Sequence, residues 1–184
     1  SRPIVAITGT DGKTTVTTLV TAMLLASGIR AVACGNTDTP LVEAIADPDV
    51  EVFVVEASSF RLATTRWFQP SVAVWLNFAP DHLDAHASLA SYEAAKASIW
   101  AHLDAETGVA VASATDPVVL ANRNPELSTI TFGGPGTNAD ATVVDGWLRL
   151  PDGTEILAIK DLPRDFPHDV TNALAASVAA MAAG

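Results

Sequence analysis

Residues 8 to 15 read Thr8-Gly9-Thr10-Asp11-Gly12-Lys13-Thr14-Thr15 and join an apolar run, Ile4 to Thr8, to a helical one, Thr14 to Ser27. A glycine-rich turn between a strand and a helix confines a chain to a small group of α/β folds. The helix start turns its N–H groups toward one point and adds partial positive charge there, which suits an anion such as phosphate. Glycines let the backbone turn, Lys13 can reach terminal phosphate oxygens, and Thr14 can hold Mg²⁺. The expected nucleotide contacts are therefore Gly9, Thr10, Asp11, Gly12, Lys13, Thr14 and Thr15. The spacing is shorter than G-x-x-x-x-G-K-[ST], because Ile7 stands where the first glycine would fall.

The flanking pattern agrees with such a fold. Gly28 closes the first helix, whose Leu19, Met23 and Leu24 recur at helical spacing, and Ala31 to Cys34 follows as a strand, so the first third is a βαβ unit. Thr39-Pro40 reads as an N-cap and first-turn proline of a short helix to Ala46. Val52 to Val55, ending in Glu56, and Val72 to Leu76, ending in Asn77, are continuous apolar strands, as a parallel sheet covered on both faces requires. Ligands of open parallel sheets bind outside the carboxyl ends of the strands, which places Glu56, Ser58, Ser59, Asn77, Asp81 and His82 on the functional edge. Ser88 to His102 is an alanine-rich helix, Gly108 to Ala112 a strand, Asp116-Pro117 the start of a helix to Ala121, and Thr129 to Phe132 another strand. Ala141 to Val144, Trp147 to Leu150 and Glu155 to Ile159 are short strands split by the hairpin signals Asp145-Gly146 and Pro151-Asp152-Gly153. From His168 a helical pattern returns with Val170, Ala173, Leu174, Val178 and Met181. The expectation is a mostly parallel, doubly wound α/β sheet of P-loop type with a small antiparallel addition near residues 141–159.

Composition narrows the function. The chain has 184 residues, 49 % of them hydrophobic and 17 % charged, which fits one domain with a real core. Ten Lys and Arg against 21 Asp and Glu give a formal charge of -11, with no basic cluster, so nucleic acid and anionic membranes are poor partners. The single cysteine, Cys34, cannot form an internal disulfide and cannot build a zinc ribbon. Apolar stretches fall short of a membrane span, and the expectation is a cytoplasmic monomer. The chain begins with Ser1 and stops at Ala182-Ala183-Gly184 inside a helical pattern, which reads as a piece of something longer.

The loop resembles T-G-T-N-G-K-T-T, the phosphate loop of the central domain of the Mur ligases, with Asp11 in place of Asn. Further segments are similar to that family in order along the chain. Leu76-Asn77-Phe78-Ala79-Pro80-Asp81-His82-Leu83-Asp84 resembles L-N-x-x-x-D-H-x-D, Tyr92-Glu93-Ala94-Ala95-Lys96 resembles Y-x-x-A-K, and His168-Asp169-Val170-Thr171-Asn172-Ala173 resembles H-N-x-x-N-A. Gly35-Asn36 matches the start of G-N-I-G-x-P. Glu56-Ala57-Ser58-Ser59-Phe60 is similar to the E-L-S-S-F-Q segment of the branch that joins D-glutamate to UDP-N-acetylmuramoyl-L-alanine. Arg61 stands where Gln is usual, Asp169 where Asn is usual, Thr37-Asp38-Thr39-Pro40 lacks the second glycine of the G-N-I-G-x-P loop, and Phe166-Pro167 replaces a glycine-containing approach to the histidine.

The resemblance implies an ATP- and Mg²⁺-dependent amide ligase that works through an acyl phosphate in peptidoglycan synthesis. Lys13, His82 and Lys96 are the implied catalytic residues. Thr14, Glu56, His82 and a carbamylated Lys96 are the implied metal ligands, and the carbamate removes the conflict of a cation beside a metal. Asn36, Ser58 and Ser59 are implied on the substrate side, and His168 and Asn172 at the base and ribose. The chain corresponds to the central domain over residues 1–184, and the resemblance implies a uridine-nucleotide-binding domain before it and an amino-acid-binding domain after it. Three other readings stay open from the residues alone. They are a different Mur-type or folylpolyglutamate-type ligase, a metal-dependent hydrolase built on the Asp81 to His86 segment, and a non-catalytic ATP-binding module.

Overall fold

The structure is a computed structural model that describes residues 2–81 and 86–184. Among these, strands β1 (Ile4–Thr8), β2 (Ala31–Gly35), β3 (Val52–Glu56), β4 (Val72–Trp75), β5 (Val109–Ser113) and β6 (Ser128–Phe132) form one parallel sheet in the order β2-β3-β1-β4-β5-β6. Helices α1 (Lys13–Ala26), α2 (Leu41–Ala44), α3 (Ser59–Thr64), α4 (Leu89–Ala97), α5 (Pro117–Ala121) and α6 (Pro167–Ala183) flank it. Every residue of β3 and β4 is buried, which explains why these strands carry no polar alternation.

The two faces of the sheet are chemically different. Val5 and Ile7 point with Val72 and Val74 toward Val16, Val20 and Leu24 of α1 and Val170, Leu174 and Val178 of α6. On the opposite face Ala6, Ala73, Ala110 and Ala112 leave room that Trp75, Ile99 and Trp100 fill. The two indoles lie 5.3 Å apart between ring centroids. Both are anchored, because Trp100 Nε1 donates to the Ala73 carbonyl at 3.0 Å and Trp75 Nε1 to the Asn77 carbonyl at 3.1 Å. A buried indole without an acceptor would carry a desolvation penalty, so these bonds make the aromatic filling possible.

After β1 the chain moves outward to β2, returns to β3 beside β1, and then crosses to β4 on the other side of β1. The loops after β1 and β4 therefore diverge, and the crevice between them is the topological switch point where ligands of such sheets bind. Strands β7 (Thr142–Val144), β8 (Trp147–Arg149) and β9 (Glu155–Ala158) form the expected antiparallel addition. Asp145 and Gly146 both have positive φ, 52° and 79°, the requirement of a type I′ hairpin. A parallel bridge between Phe132 and Ala141 ties this small sheet to β6.

Four local expectations are corrected. Pro40, not Thr39, is the N-cap of α2, which has no side-chain cap and ends at Ala44. Helix α3 has no counterpart in the periodicity reading; it is started by Ser58, whose Oγ accepts from Arg61 N. The helix expected from Ser88 to His102 gives way to a 3-10 turn over Ser98–Trp100, which rotates Trp100 into the alanine-lined face. Met181 is 39 % exposed and does not join the α6 core stripe.

Candidate nucleotide site

The phosphate loop is shaped by Gly12 and by Asn77. Gly12 is the N-cap of α1 with φ +83°, and a Cβ there would stand 2.7 Å from Asn172 Oδ1, so the position needs glycine on both counts. Asn77, at the end of β4, accepts from Thr10 N and from Asp11 N on its Oδ1, each at 2.9 Å, and donates from Nδ2 to the Asp11 carbonyl at 3.1 Å. Its own carbonyl accepts from Thr10 N at 3.2 Å. The first intrahelical bond of α1 runs from Val16 N to the Gly12 carbonyl at 2.9 Å. The N–H groups of Lys13, Thr14 and Thr15 precede it and lack intrahelical acceptors, so they are the natural anion donors. Lys13 Nζ donates to the Gly9 and Thr10 carbonyls at 3.0 and 2.8 Å, which leaves one of its three protons for a phosphate oxygen.

An acidic oxygen pair lies beside the loop. Glu56 is 3 % exposed, Thr14 Oγ1 donates to its Oε2 at 2.8 Å, and Asn36 Nδ2 donates to its Oε1 at 3.0 Å. Both oxygens of this buried side chain are held by neutral donors, and a hard cation on the adjacent Thr14 and Glu56 oxygens would add a positive partner. These residues fit Mg²⁺, which takes a few protein oxygens and fills its shell with water and phosphate. Among the described residues no three His, Cys, Asp or Glu side chains gather into a further metal cluster. Asn36 thus holds one oxygen of the carboxylate on the edge where the resemblance implies a substrate contact. Gly35 permits this approach: its φ is +100°, and a Cβ would lie 2.5 Å from the Glu56 carbonyl.

Lys96 reaches the loop from the other side. It is 2 % exposed, and its Nζ donates to the Gly9 carbonyl at 2.6 Å, the same oxygen that receives Lys13. The Tyr92 ring lies under the ammonium at 4.6 Å, and the Tyr92 hydroxyl meets Thr10 Oγ1 at 3.2 Å. Burial lowers the Lys96 pKa to about 7, with the nearby Lys13 charge acting in the same direction and Asp81 and Asp11 opposing. Tyr92 is held in turn by Phe78 and His86, at 5.2 and 5.1 Å between centroids.

The residues at the start of α6 meet the loop across a cleft of about 460 Å³ lined by Asp11, Gly12, Thr15, Asn77, His168 and Asn172, among others. His168 lies nearly parallel to Phe166, 5.7 Å between centroids and 13° between planes. Asp169 pairs with Arg164 at 3.0 Å. Ser58 and Ser59 are buried and engaged in the scaffold: Ser58 caps α3, and Ser59 Oγ lies 3.0 Å from His86 Nε2. His82, with its neighbours Leu83, Asp84 and Ala85, lies outside the described residues. The structure therefore brings Lys13, Thr14, Glu56, Lys96 and Asn172 together around one loop. It gives a role to Asn77, which the strand pattern already places on the functional edge, and it adds Tyr92, whose signal in the sequence is its place inside the Tyr92 to Lys96 segment. A second, more apolar cavity of about 440 Å³ opens between α2 and α3, where Leu41, Ile45, Leu62 and Phe68 form walls and Glu56 and Arg61 also line the space.

A parallel sheet with its phosphate loop at the switch point, a buried carboxylate on the loop's threonine and a lysine seated on the loop's carbonyl define a nucleotide-binding domain of P-loop type. A family model described as the Mur ligase middle domain matches residues 7–180, and the chain belongs to that family. It is 42 % identical over 192 residues to a protein from Frankia casuarinae named UDP-N-acetylmuramoylalanine–D-glutamate ligase, a match covering 97 % of this chain and 39 % of that protein. The protein of the same name from Escherichia coli K12 is 37 % identical over 185 residues, covering 99 % and 41 %. The chain thus spans about two fifths of the length of these curated relatives. Among solved structures, that of UDP-N-acetylmuramoyl-L-alanyl-D-glutamate–2,6-diaminopimelate ligase superposes with a TM-score of 0.79 at 25 % identity, covering 98 % of this chain and 43 % of that one. Folylpolyglutamate synthase of Mycobacterium tuberculosis, solved with ADP and AMPPCP, shares the fold at 20 % identity and a TM-score of 0.76, covering 99 % and 55 %.

Proposed function

We propose that this chain is the ATP-binding part of an ATP-dependent ligase that joins D-glutamate to UDP-N-acetylmuramoyl-L-alanine in peptidoglycan synthesis. The observation that carries the reading is the convergence of Thr14, Glu56 and Lys96 on the phosphate loop. The names of the relatives and the Glu56 to Phe60 segment support the choice of substrates.

The chemistry requires activation of a carboxylate, whose oxygen is a poor leaving group. One oxygen of the L-alanine carboxylate forms a bond to the γ-phosphorus of ATP as the bond from that phosphorus to the bridging oxygen breaks, which yields an acyl phosphate and ADP. The D-glutamate amine then attacks the acyl carbon, phosphate departs, and the nitrogen releases a proton as the amide forms. Phosphoryl transfer depends on positioning and charge more than on a protein nucleophile. The first N–H groups of α1 orient the phosphates, and the free proton of Lys13 meets a terminal oxygen. Glu56 and Thr14 would hold Mg²⁺, which when bound offsets phosphate charge. The pKa of Lys96, about 7, leaves much of its amine unprotonated near neutrality. The neutral amine can attack CO₂, forming an N–C bond and releasing a proton to give the anionic carbamate that the family resemblance implies.

Calorimetric titration of this chain with Mg²⁺ and a non-hydrolysable ATP analogue, on the wild type and on Lys13→Ala, tests the nucleotide reading. Binding that the substitution weakens at least tenfold is expected. Equal binding by both proteins would overturn the role given to the loop. The ligase reading is tested on the full-length protein, where phosphate release from ATP should require both UDP-N-acetylmuramoyl-L-alanine and D-glutamate; release with a different acceptor only would overturn it.

A further inference from the structure

We propose that Asn77 is a positioning residue that divides the phosphate loop into two halves, one bound to the protein and one left open for phosphate. Resting on the nucleotide reading above, this inference adds how the loop's donors are allotted. A glycine loop of this kind offers a run of consecutive backbone N–H groups, and sequence gives no reason to separate them. Here they are separated. The N–H groups of Thr10 and Asp11 both end on Asn77 Oδ1 at 2.9 Å, so neither is available to an anion without breaking a bond. The reverse bond from Asn77 Nδ2 to the Asp11 carbonyl, 3.1 Å, fixes the amide's orientation and gives that carbonyl a donor. A carbonyl oxygen without a donor beside an anion would repel it, so this bond matters as much as the other two.

Asn77 is itself rigidly placed. It follows β4, whose residues are all buried, and its carbonyl receives both Trp75 Nε1 at 3.1 Å and Thr10 N at 3.2 Å. The loop is also close-packed on this strand end: a Cβ on Gly9 would lie 3.0 Å from Leu76 Cβ and 3.4 Å from Asn77 Oδ1. An additional tie runs from Ala79 N to Thr10 Oγ1 at 2.9 Å. The half of the loop from Gly9 to Asp11 is thereby part of the β4 end, and the half from Lys13 to Thr15 keeps the unsatisfied N–H groups of the helix start. No other residue type supplies this pattern with the same shape. Asp offers the two acceptors but not the donor, and Leu offers neither.

The test is a ¹H–¹⁵N spectrum of this chain titrated with inorganic tripolyphosphate in the presence of Mg²⁺, with amide hydrogen exchange measured on the same samples. The Lys13, Thr14 and Thr15 amides should shift on titration. Those of Thr10 and Asp11 should stay in place and exchange slowly. In Asn77→Ala their exchange should accelerate at least tenfold and tripolyphosphate affinity should fall at least tenfold, with the dispersion of the rest of the spectrum retained. Asn77→Asp, which keeps the volume and the acceptors, should leave Thr10 and Asp11 protected but still weaken tripolyphosphate binding. This variant also decides the matter if Asn77→Ala does not fold. Thr10 and Asp11 amides that shift together with Lys13, or an Asn77→Ala protein with unchanged exchange and affinity, would overturn the proposal. A wild type that does not respond to tripolyphosphate, yet shows slow Thr10 and Asp11 exchange released by Asn77→Ala, would instead overturn the nucleotide reading and leave the Asn77 clamp standing.

Discussion

Lys13 and Lys96 place two ammonium groups on the one carbonyl of Gly9, an arrangement that only a lowered proton affinity makes tolerable. The consequence for stability has a definite sign. The ordinary lysine pKa of about 10.4 holds in the unfolded chain. In the folded protein that of Lys96 is about 7, so between these values the unfolded chain binds the extra proton. Stability should therefore rise as pH increases from about 7 to about 10. Urea denaturation across that range in CO₂-free buffer should show the rise in the wild type and a flatter profile in Lys96→Met. Glycine positions give a second prediction at this scale. Gly12→Ala forces a left-handed residue at the start of α1, costing about 1 kcal/mol or more, and displaces Asn172. A modest loss in denaturation midpoint with a larger loss of ATP-analogue affinity is expected. Individual residues were the least legible part of the sequence. Lys13, Thr14 and Glu56 follow from motif chemistry, whereas Asn77 and Tyr92 act through contacts across the crevice, Asn77 to Asp11 and Tyr92 to Thr10, that no local pattern encodes. For Ser58 and Ser59 the resemblance implies a substrate-side place, and the structure adds a scaffold part that the motif does not report, the cap of α3 for Ser58 and the contact with His86 for Ser59.

Helix α4 carries Lys96 to the loop, so its start matters to the site. Ser88 and Ser91 form a reciprocal capping box there, with Ser91 N donating to Ser88 Oγ at 3.1 Å and Ser88 N to Ser91 Oγ at 3.0 Å. Ser88→Ala should cost about 1 kcal/mol. Thermal denaturation reads that loss, and Ser88→Asp, which keeps an N-cap acceptor, should recover most of it. The strands were legible as elements because burial on both faces leaves unbroken apolar runs, and α1 and α6 because their apolar stripes span 14 and 17 residues. Helix α3 leaves no periodic signal because six residues hold too few turns for a period to register, and its local mark is the Ser58 cap. The end of α4 departs from its helical pattern for a different reason. Ile99 and Trp100 are buried by a change of helix type, a tertiary demand of the alanine-lined sheet face that helical spacing does not report.

At the scale of the molecule, the sheet order was implicit in the sequence only through the resemblance; strand spacing gives βαβ units but not which strand lies in the middle. The observed order puts β1 and β4 side by side and so creates the crevice on which the nucleotide reading rests. Leu174, fully buried in α6 within the cluster that also holds α1 and the sheet valines, tests how far that core is one unit. Leu174→Ala should cost about 2–5 kcal/mol. Circular dichroism and tryptophan fluorescence should follow a single coincident transition, and separate transitions would show that α6 docks independently. The position of α6 in the chain has one more consequence. Residues 167–183 cover the sheet face begun by residues 4–8 and set Asn172 against Gly12, so β1 and the phosphate loop wait for α6. During synthesis at about 5–20 residues per second, the loop leaves the ribosome roughly ten to thirty seconds before α6 does, and a finished nucleotide pocket can form only after that interval. A nascent chain of this protein is thus a period of exposed apolar strand, which holdase chaperones bind, followed by closure in which nucleotide can first act as a folding ligand.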